Sequence, residues 1–535
     1  MSEKSRALPT LKPRWEATCR VLFGRAVGDL EKFEPWLLDG TQQMMRQKSF
    51  ASGHEITYAI TRYAKDSKWM GFDEIDFSAS AKPLSINEIK DIDSLLDALR
   101  ERFAYAGGAV LGNSGEVERS SNITDSFFMY ETGKLADCKY VAYTTLGRLG
   151  EDCFGCDGIG ESQACVKCYE TFKDKRCFEL WMSQYCSDCY YSHNLHGCLD
   201  AMFCFNATNL RQAIGNLPLA KEKYAELKKK LLEEMAQELE KNRKLPSLVE
   251  LVGRGPRVKP ALAAEPLREE KTDKSAIEEA FANTCKLVLG QKLAGGIDDY
   301  APWLMRNVNR SEAVKSALSA TAMSRRDYCR YFDLPADRLL TPEEAKRLGE
   351  SQRLGEKEVQ GLTLASAPAL LAPIAFFTPE YKDGSNLNLI DCSTSSDSAH
   401  CYRASPVVYA KYSGYCFWPR STEHAFGCGA LLSSSFCLQC HNSVKLARCY
   451  EVDFSRDCSG CYFSHNLENC SDCLFCFNAK NLKYAIGNVP VGAQKFAAAK
   501  AVLLAELQKE LQAAKSTRHS IFSIGRREKE LEARR

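Results

Sequence analysis

The sequence lacks an excess of either charge. Its 71 Lys and Arg residues stand against 69 Asp and Glu residues, which gives a formal net charge of +2 over 535 residues. A chain this close to neutral has no overall basic field that would attract nucleic acid, and no acidic excess. Any nucleic-acid contact would have to come from a local patch.

The sequence also lacks the segments of an exported or membrane-spanning protein. Its first fifteen residues contain no apolar core of signal-peptide length. The most apolar run, residues 362–377, is short and is interrupted by Pro368 and Pro373, so we interpret it as buried core or a packed loop. We therefore expect a cytoplasmic protein with no membrane partner.

Catalytic motifs are missing as well. The chain contains no G-x-x-x-x-G-K-[ST], no G-x-S-x-G and no H-E-x-x-H, and its 8 His residues offer little general-base material. We predict that the protein is not an enzyme, with no catalytic residues and no organic cofactor.

Cysteine is abundant, with 25 residues. In the reducing cytosol such residues are metal ligands, redox groups or small buried apolar residues rather than disulfides. The odd total leaves at least one of them unpaired.

The sequence is internally duplicated. The stretch from Cys186 to Asn216 aligns without a gap to the stretch from Cys458 to Asn488, at a constant offset of 272 (458 − 186), and 21 of the 31 positions are identical. A looser match relates the segment that begins at Cys19 to the one that begins at Cys285. We therefore predict that each half contains an N-terminal helical segment, a cysteine-rich central part and a C-terminal amphipathic helix.

The cysteine spacing suggests a stacked β structure. In the first half, Cys156, Cys177 and Cys198 are 21 apart in sequence, and C-x2-C-x8-C recurs with the same period. Short runs of aromatic and β-branched residues between Gly and Asn indicate strands and turns. We therefore predict an α+β fold with two cysteine-rich parallel β-solenoids (β-helix-like blocks), each flanked by helical segments and each with four or five coils of about 21 residues.

The predicted segments follow from this pattern. They are a helical N-terminal segment of repeat 1 at 1–119, β-solenoid 1 at 120–216, an amphipathic helix at 217–243, a linker at 244–276, a helical segment of repeat 2 at 277–390, β-solenoid 2 at 391–488, and an amphipathic helix with a basic tail at 489–535.

Asparagine pairs should reinforce the stacking. Asn194 with Asn206, and Asn466 with Asn478, are placed to bond through their side-chain amides at the corners of neighbouring coils.

Zinc is the alternative explanation for part of the cysteine pattern. The motif C-x2-C-x3-H-x4-C occurs in both halves and supplies four soft ligands that could surround a tetrahedral Zn²⁺. The candidate metal ligands are Cys186, Cys189, His193 and Cys198 in the first half, and Cys458, Cys461, His465 and Cys470 in the second. The motif resembles a zinc knuckle with one residue missing before the histidine. A structural cysteine ladder is the favoured interpretation, and iron–sulfur or redox chemistry is a third.

The block "CSDCLFCFNAKNLKYAIGN", followed by an amphipathic helix, resembles an uncharacterised cysteine-rich repeat family of archaeal and candidate-phylum bacterial proteins. Those proteins carry strings of C-x2-C units that end in a similar FCFN…IGN block. The resemblance covers about half of the chain. It implies a stacked β architecture and an archaeal or related prokaryotic setting, and it implies no activity.

Two functions are the main candidates, and a redox or metal-storage protein, suggested by the number of thiols, is a third. The first is a non-enzymatic structural or assembly protein, a tandem cysteine-lined β-solenoid scaffold that makes homo-oligomeric or large-complex contacts. The second is a zinc-binding factor associated with nucleic acid or the ribosome, in which Tyr190, Tyr191, Tyr462 and Phe463 would stack on bases.

Overall fold

The computed structural model describes residues 6–60, 62–78, 91–265, 272–326 and 333–524. The chain combines helices with parallel-strand sheets. The helices are α1 Ala7–Phe23, α2 Glu34–Leu38, α3 Ile92–Leu99, α4 Lys221–Asn242, α5 Leu248–Gly253, α6 Ser275–Leu289, α7 Ala301–Leu304, α8 Pro342–Ser351, α9 Glu356–Gln360, α10 Ala367–Leu370 and α11 Ala493–Ala514.

The strands of the first half of the chain are mostly four residues long. They are β1 Met45–Lys48, β2 Glu55–Tyr58, β3 Trp69–Gly71, β4 Tyr105–Gly107, β5 Val110–Leu111, β6 Gly115–Glu118, β7 Ser121–Thr124, β8 Phe127–Tyr130, β9 Gly133–Ala136, β10 Lys139–Ala142, β11 Thr145–Arg148, β12 Glu151–Phe154, β13 Asp157–Gly160, β14 Gln163–Val166, β15 Tyr169–Phe172, β16 Lys175–Gln184, β17 Ser187–His196, β18 Leu199–Met202, β19 Phe205–Thr208, β20 Arg211–Ile214 and β21 Leu217–Pro218.

The second half repeats this arrangement. Its strands are β22 Ser311–Lys315, β23 Ala322–Arg326, β24 Tyr381–Asp383, β25 Leu387–Ile390, β26 Thr394–Ser396, β27 Ala399–Tyr402, β28 Val407–Val408, β29 Lys411–Gly414, β30 Glu423–Phe426, β31 Gly429–Leu432, β32 Ser435–Leu438, β33 His441–Asp453, β34 Arg456–Ser459, β35 Tyr462–Glu468, β36 Ser471–Leu474, β37 Phe477–Lys480, β38 Lys483–Ile486 and β39 Val489–Pro490.

The chain divides into two compact units that do not coincide with its two halves. Unit 1 comprises residues 1–44, 110–268 and 311–381, and unit 2 comprises residues 45–109, 269–310 and 382–535. Each unit thus contains one long segment from the other half of the sequence. We call residues 45–109 segment A, which belongs to unit 2, and residues 311–381 segment B, which belongs to unit 1.

Each unit is built on a stack of parallel strands, stack 1 at residues 110–218 and stack 2 at residues 382–490. In stack 1, Lys139 pairs with Glu151, and Cys165 pairs with Cys177, so the register advances by twelve residues (151 − 139). In stack 2, Cys437 pairs with Cys449 at the same interval. One layer of a stack is therefore twelve residues.

The predicted coil period is wrong. Residues 21 apart, such as Cys156 and Cys177, belong to different columns, whereas residues twelve apart lie one above the other. The reason is that inward-facing positions recur every three residues. Cysteine spacings of 3, 9, 12 and 21 are all multiples of three, and they do not reveal how many triplets make one layer.

The triplet has a backbone cause. Within stack 1, positive φ recurs at every third residue, as at Tyr140 (56°), Tyr143 (52°) and Leu146 (54°). The left-handed conformation costs a residue other than glycine roughly 1–2 kcal/mol. This conformation turns the chain after each pair of extended residues. Backbone hydrogen bonds to the layers above and below offset its cost.

Helices cover the apolar outer face of each stack. In unit 1, the predicted amphipathic helix is α4. It buries Leu227, Leu231, Met235 and Leu239, and these side chains join one apolar core with residues of α1 and of the strands. In unit 2, α6 and α11 take part in a separate apolar core. No helix within the described ranges is both long and apolar enough to cross a membrane.

Several stretches between the main elements are packed into the two units. The stretch predicted as linker contains α5, whose Leu248, Val249, Leu251 and Val252 are buried. The apolar run at residues 362–377 lies in segment B and buries half of its residues, in agreement with the prediction. Of the predicted basic tail, Ile521, Phe522 and Ile524 are buried in unit 2, and residues 525–535 lie outside the described residues.

Candidate functional site: thiol columns and histidine anchors

The interior of each stack is lined by small side chains at three-residue intervals. In stack 1 the inner cluster is separate from the core beneath the helices. It comprises Ile123, Met129, Leu135, Cys138, Val141, Cys153, Cys156, Ile159, Cys165, Cys168, Cys177, Leu180, Cys186, Cys189, Leu195, Cys198, Ala201, Cys204 and Ala213. Stack 2 has an equivalent cluster in which thiols again predominate. All 24 described cysteines are buried and free of disulfides.

Several inner thiols join two layers by hydrogen bonds. Cys156 Sγ donates to the carbonyl of Phe154 at 3.6 Å and accepts from the amide of Cys168, one layer on, at 3.4 Å. Ser126 forms the same two bonds with Thr124 and Cys138, at 2.8 and 2.9 Å. Cysteine and serine can therefore play the same part here, since each accepts from a buried backbone amide of the next layer and donates to a carbonyl of its own layer.

Burial disfavours the charged form of some of the inner thiols. It raises the pKa of Cys138, of Cys204 and of Cys392 to about 12 each. A nucleophilic or metal-binding cysteine acts as the thiolate, and it gains that form from exposure or from neighbouring positive charge. The environment of these three residues favours the neutral thiol, which suits a structural wall.

The first predicted zinc set is divided between two sides of the strand. Cys186, Cys189 and Cys198 lie together in the inner cluster. His193 lies on the outer side, where its Nε2 accepts a hydrogen bond from the Thr378 amide at 3.0 Å and its ring meets that of Phe377 at 5.0 Å. Burial lowers the pKa of His193 to about 3, so the imidazole is neutral.

The second predicted set is divided in the same way. Cys458, Cys461 and Cys470 are inner residues, whereas His465 faces segment A. Its Nε2 accepts from the Ala106 amide at 3.0 Å, and its Nδ1 lies 2.9 Å from Asp453 Oδ2. Both ring nitrogens are therefore engaged by protein groups.

The predicted asparagine pairs are confirmed. Asn194 Nδ2 donates to Asn206 Oδ1 at 3.0 Å, and Asn466 Nδ2 donates to Asn478 Oδ1 at 2.8 Å. The lower member of each pair also donates to the segment that covers it. Asn206 donates to the Phe376 carbonyl at 2.9 Å, and Asn478 donates to the Ala104 carbonyl at 2.7 Å.

The aromatic residues proposed for base stacking face the protein interior. Tyr190, Tyr191, Tyr462 and Phe463 are each at most 1% exposed. Tyr190 donates to the Leu22 carbonyl of α1, and Tyr462 donates to the Val288 carbonyl of α6. They attach the covering helices to the strands.

A buried polar network in unit 2 was missed by the sequence analysis. Tyr63 of segment A donates its hydroxyl to Asp453, which also receives Asn442 Nδ2 at 3.0 Å and lies against His465. Burial raises the pKa of Asp453, but hydrogen bonds from His465, Tyr63 and Asn442 outweigh it and hold the pKa below its ordinary value. Residues distant in sequence create this network, so no local motif could signal it.

This network resembles a catalytic dyad only in part. An Asp–His pair becomes a general base when the second ring nitrogen is free to take a proton from a substrate or nucleophile. His465 Nε2 is instead held by the Ala106 amide. The pair therefore positions segment A on stack 2.

In the described part of the chain, no group of three or more His, Cys, Asp or Glu side chains is placed to hold a metal ion. Searches against protein-family models, curated protein sequences and solved structures found no match.

Proposed function

We propose that the two stacks are β-solenoids and that the protein is a non-enzymatic scaffold that assembles with further copies of itself. The single observation that supports this proposal most directly is the state of the thiols. All 24 described cysteines are buried, and the stack thiols donate to backbone carbonyls within their own layer or the next. Thiols that are buried and bonded in this way form a structural wall inside each stack and do not form a reactive surface.

Contact with a second copy is supported by the first layer of stack 2. Strand β25 pairs with β27, and among the described strands it has no partner on its other side. Leu387 on this strand is 61% exposed. An unpaired strand edge with an exposed leucine is a site at which another chain can add a strand.

Sedimentation velocity over a range of concentrations tests the proposal. The unmodified protein should form oligomers whose fraction rises with concentration. Leu387→Lys should reduce that fraction, because a charged side chain discourages pairing at an open edge. Leu149→Lys is the matched control, since Leu149 is a comparable exposed leucine (45%) in stack 1 and is not part of β25. A monomer at every concentration would reject self-assembly.

A further inference from the structure

Segments A and B are held by the same contacts in the two units. The sequence numbers of His193 and His465 differ by 272, and so do those of the amides they accept from, Ala106 and Thr378 (378 − 106). The carbonyls bonded by Asn206 and Asn478 are those of Phe376 and Ala104, which have the same offset. The duplication therefore includes the segments as well as the stacks.

Each of these bonds joins residues from different halves of the sequence. The amide that His465 accepts comes from the first half, and the amide that His193 accepts comes from the second half. Apolar contacts follow the same rule. Phe477 packs on Phe103 at 4.9 Å between ring centroids, and its counterpart Phe205 packs on Phe377 at 5.9 Å.

The last layer of each stack also bonds to the segment that comes from the other half of the sequence. The carbonyl of Gly487 accepts from Arg102 Nη1 of segment A at 2.6 Å. The carbonyl of Gly215, its counterpart in the first half, accepts from the Leu354 amide of segment B at 2.9 Å. Without these segments, buried side chains and backbone groups at the end of each stack would lose their partners.

We infer that the outer face of the last layers of each stack is a recognition site for the covering segment of another half-chain. The site consists of the His and Asn anchors and the adjacent Phe, and its partner is a segment of the same design. In this chain each half of the sequence supplies the segment that covers the stack of the other half, as two copies would in a segment-exchanged dimer. The residues between the halves act as a tether, and they are not needed to hold the partners together.

Hydrogen exchange measured by mass spectrometry on the full chain tests the crossed dependence. Phe477→Ala should speed exchange at least tenfold in residues 91–109, while residues 333–381 stay protected. The matched variant Phe205→Ala should do the reverse. Asn478→Ala and Asn206→Ala provide milder versions if the phenylalanine variants do not fold. Faster exchange confined to the half of the sequence that carries the substitution would overturn the inference.

Cleavage of the tether tests whether the partners hold without it. A protease site inserted after Ala264, an exposed position, should yield two fragments that co-elute in native buffer and separate in denaturant. Fragments that separate in native buffer would also overturn the inference. Self-assembly through β25 affects neither readout, so the inference and the proposed function can fail independently.

Discussion

The two units hold their covering segments with the same backbone bonds but with different side chains. In unit 2, Asp453 lies one layer before His465 and joins it to Tyr63. In unit 1 the position that matches Asp453 is Trp181, which lies one layer before His193. Trp181 Nε1 donates to Glu179 at 3.0 Å rather than to the histidine.

This difference separates what the fold requires from what specifies a partner. The His and Asn anchors shared by both units form hydrogen bonds with backbone amides and carbonyls of the segment. Any segment with the same backbone shape can therefore form these bonds. The Tyr63–Asp453 bond requires a particular side chain on the segment. In unit 1, Trp181 stands at the place of Asp453 and has no carboxylate that could accept such a bond. Unit 2 is therefore the more selective of the two.

The largest expected effect comes from breaking the network around Asp453 in unit 2. Asp453→Ala should destabilise unit 2 by about 3 kcal/mol, because it leaves the buried donors of Tyr63, Asn442 and His465 without their acceptor. Urea denaturation followed by hydrogen exchange would measure the loss and locate it.

A milder change tests the same bond from the other side. Tyr63→Phe removes one hydrogen bond to a carboxylate and should cost about 2 kcal/mol in unit 2 and nothing in unit 1. Equal losses in both units, or none, would show that the network does not distinguish them.

The next effect depends on pH. Burial lowers the pKa of His441 to about 3, whereas the matching residue in unit 1 is Tyr169. Between pH 6.5 and 3 the unfolded chain takes up a proton at this position and the folded chain does not. Stability should therefore fall as the pH falls, by about 1.4 kcal/mol per pH unit from this residue.

The variant His441→Phe should remove that contribution. The slope of the unfolding free energy against pH should then decrease by the amount that corresponds to one proton. Denaturation at pH 7, 5.5 and 4 would measure it. Tyr169→Phe should leave the pH dependence unchanged. If His441→Phe retained the full slope, the histidine would not be the group responsible.

The smallest effect is expected inside the stacks, where the units are alike. Cys156→Ser and its counterpart Cys428→Ser should each cost less than about 1 kcal/mol, because a hydroxyl can form the bonds that Ser126 already forms. Thermal denaturation of both variants would check this. A loss of several kcal/mol in either one would indicate a role that only sulfur can perform.

The sequence was sufficient for the features that repeat locally. It predicted the duplication, the parallel strands, the amphipathic helix α4 and the two asparagine pairs, because each of these leaves a regular spacing in the chain. It also suggested a wall of cysteines. It missed the twelve-residue layer, since the inner positions accept Cys, Ser, Thr, Ala and Leu alike and the cysteines mark only some of them.

The remaining features depend on contacts between distant residues. His193 and Cys189 are four residues apart, yet they face opposite sides of one strand, so their spacing suggested a metal site that the geometry does not assemble. The crossing of segments A and B leaves no local pattern either. Tyr63 and Asp453 are 390 residues apart in sequence and form their hydrogen bond only in the folded unit.

Native mass spectrometry of the purified protein, combined with iodoacetamide labelling at neutral pH, tests the central claim that the cysteines form a structural wall. The account predicts a metal-free chain in which the 24 described cysteines stay unlabelled until the protein is unfolded. Two zinc ions per chain, or rapid labelling of the Cys186 or Cys458 group in the folded protein, would contradict it.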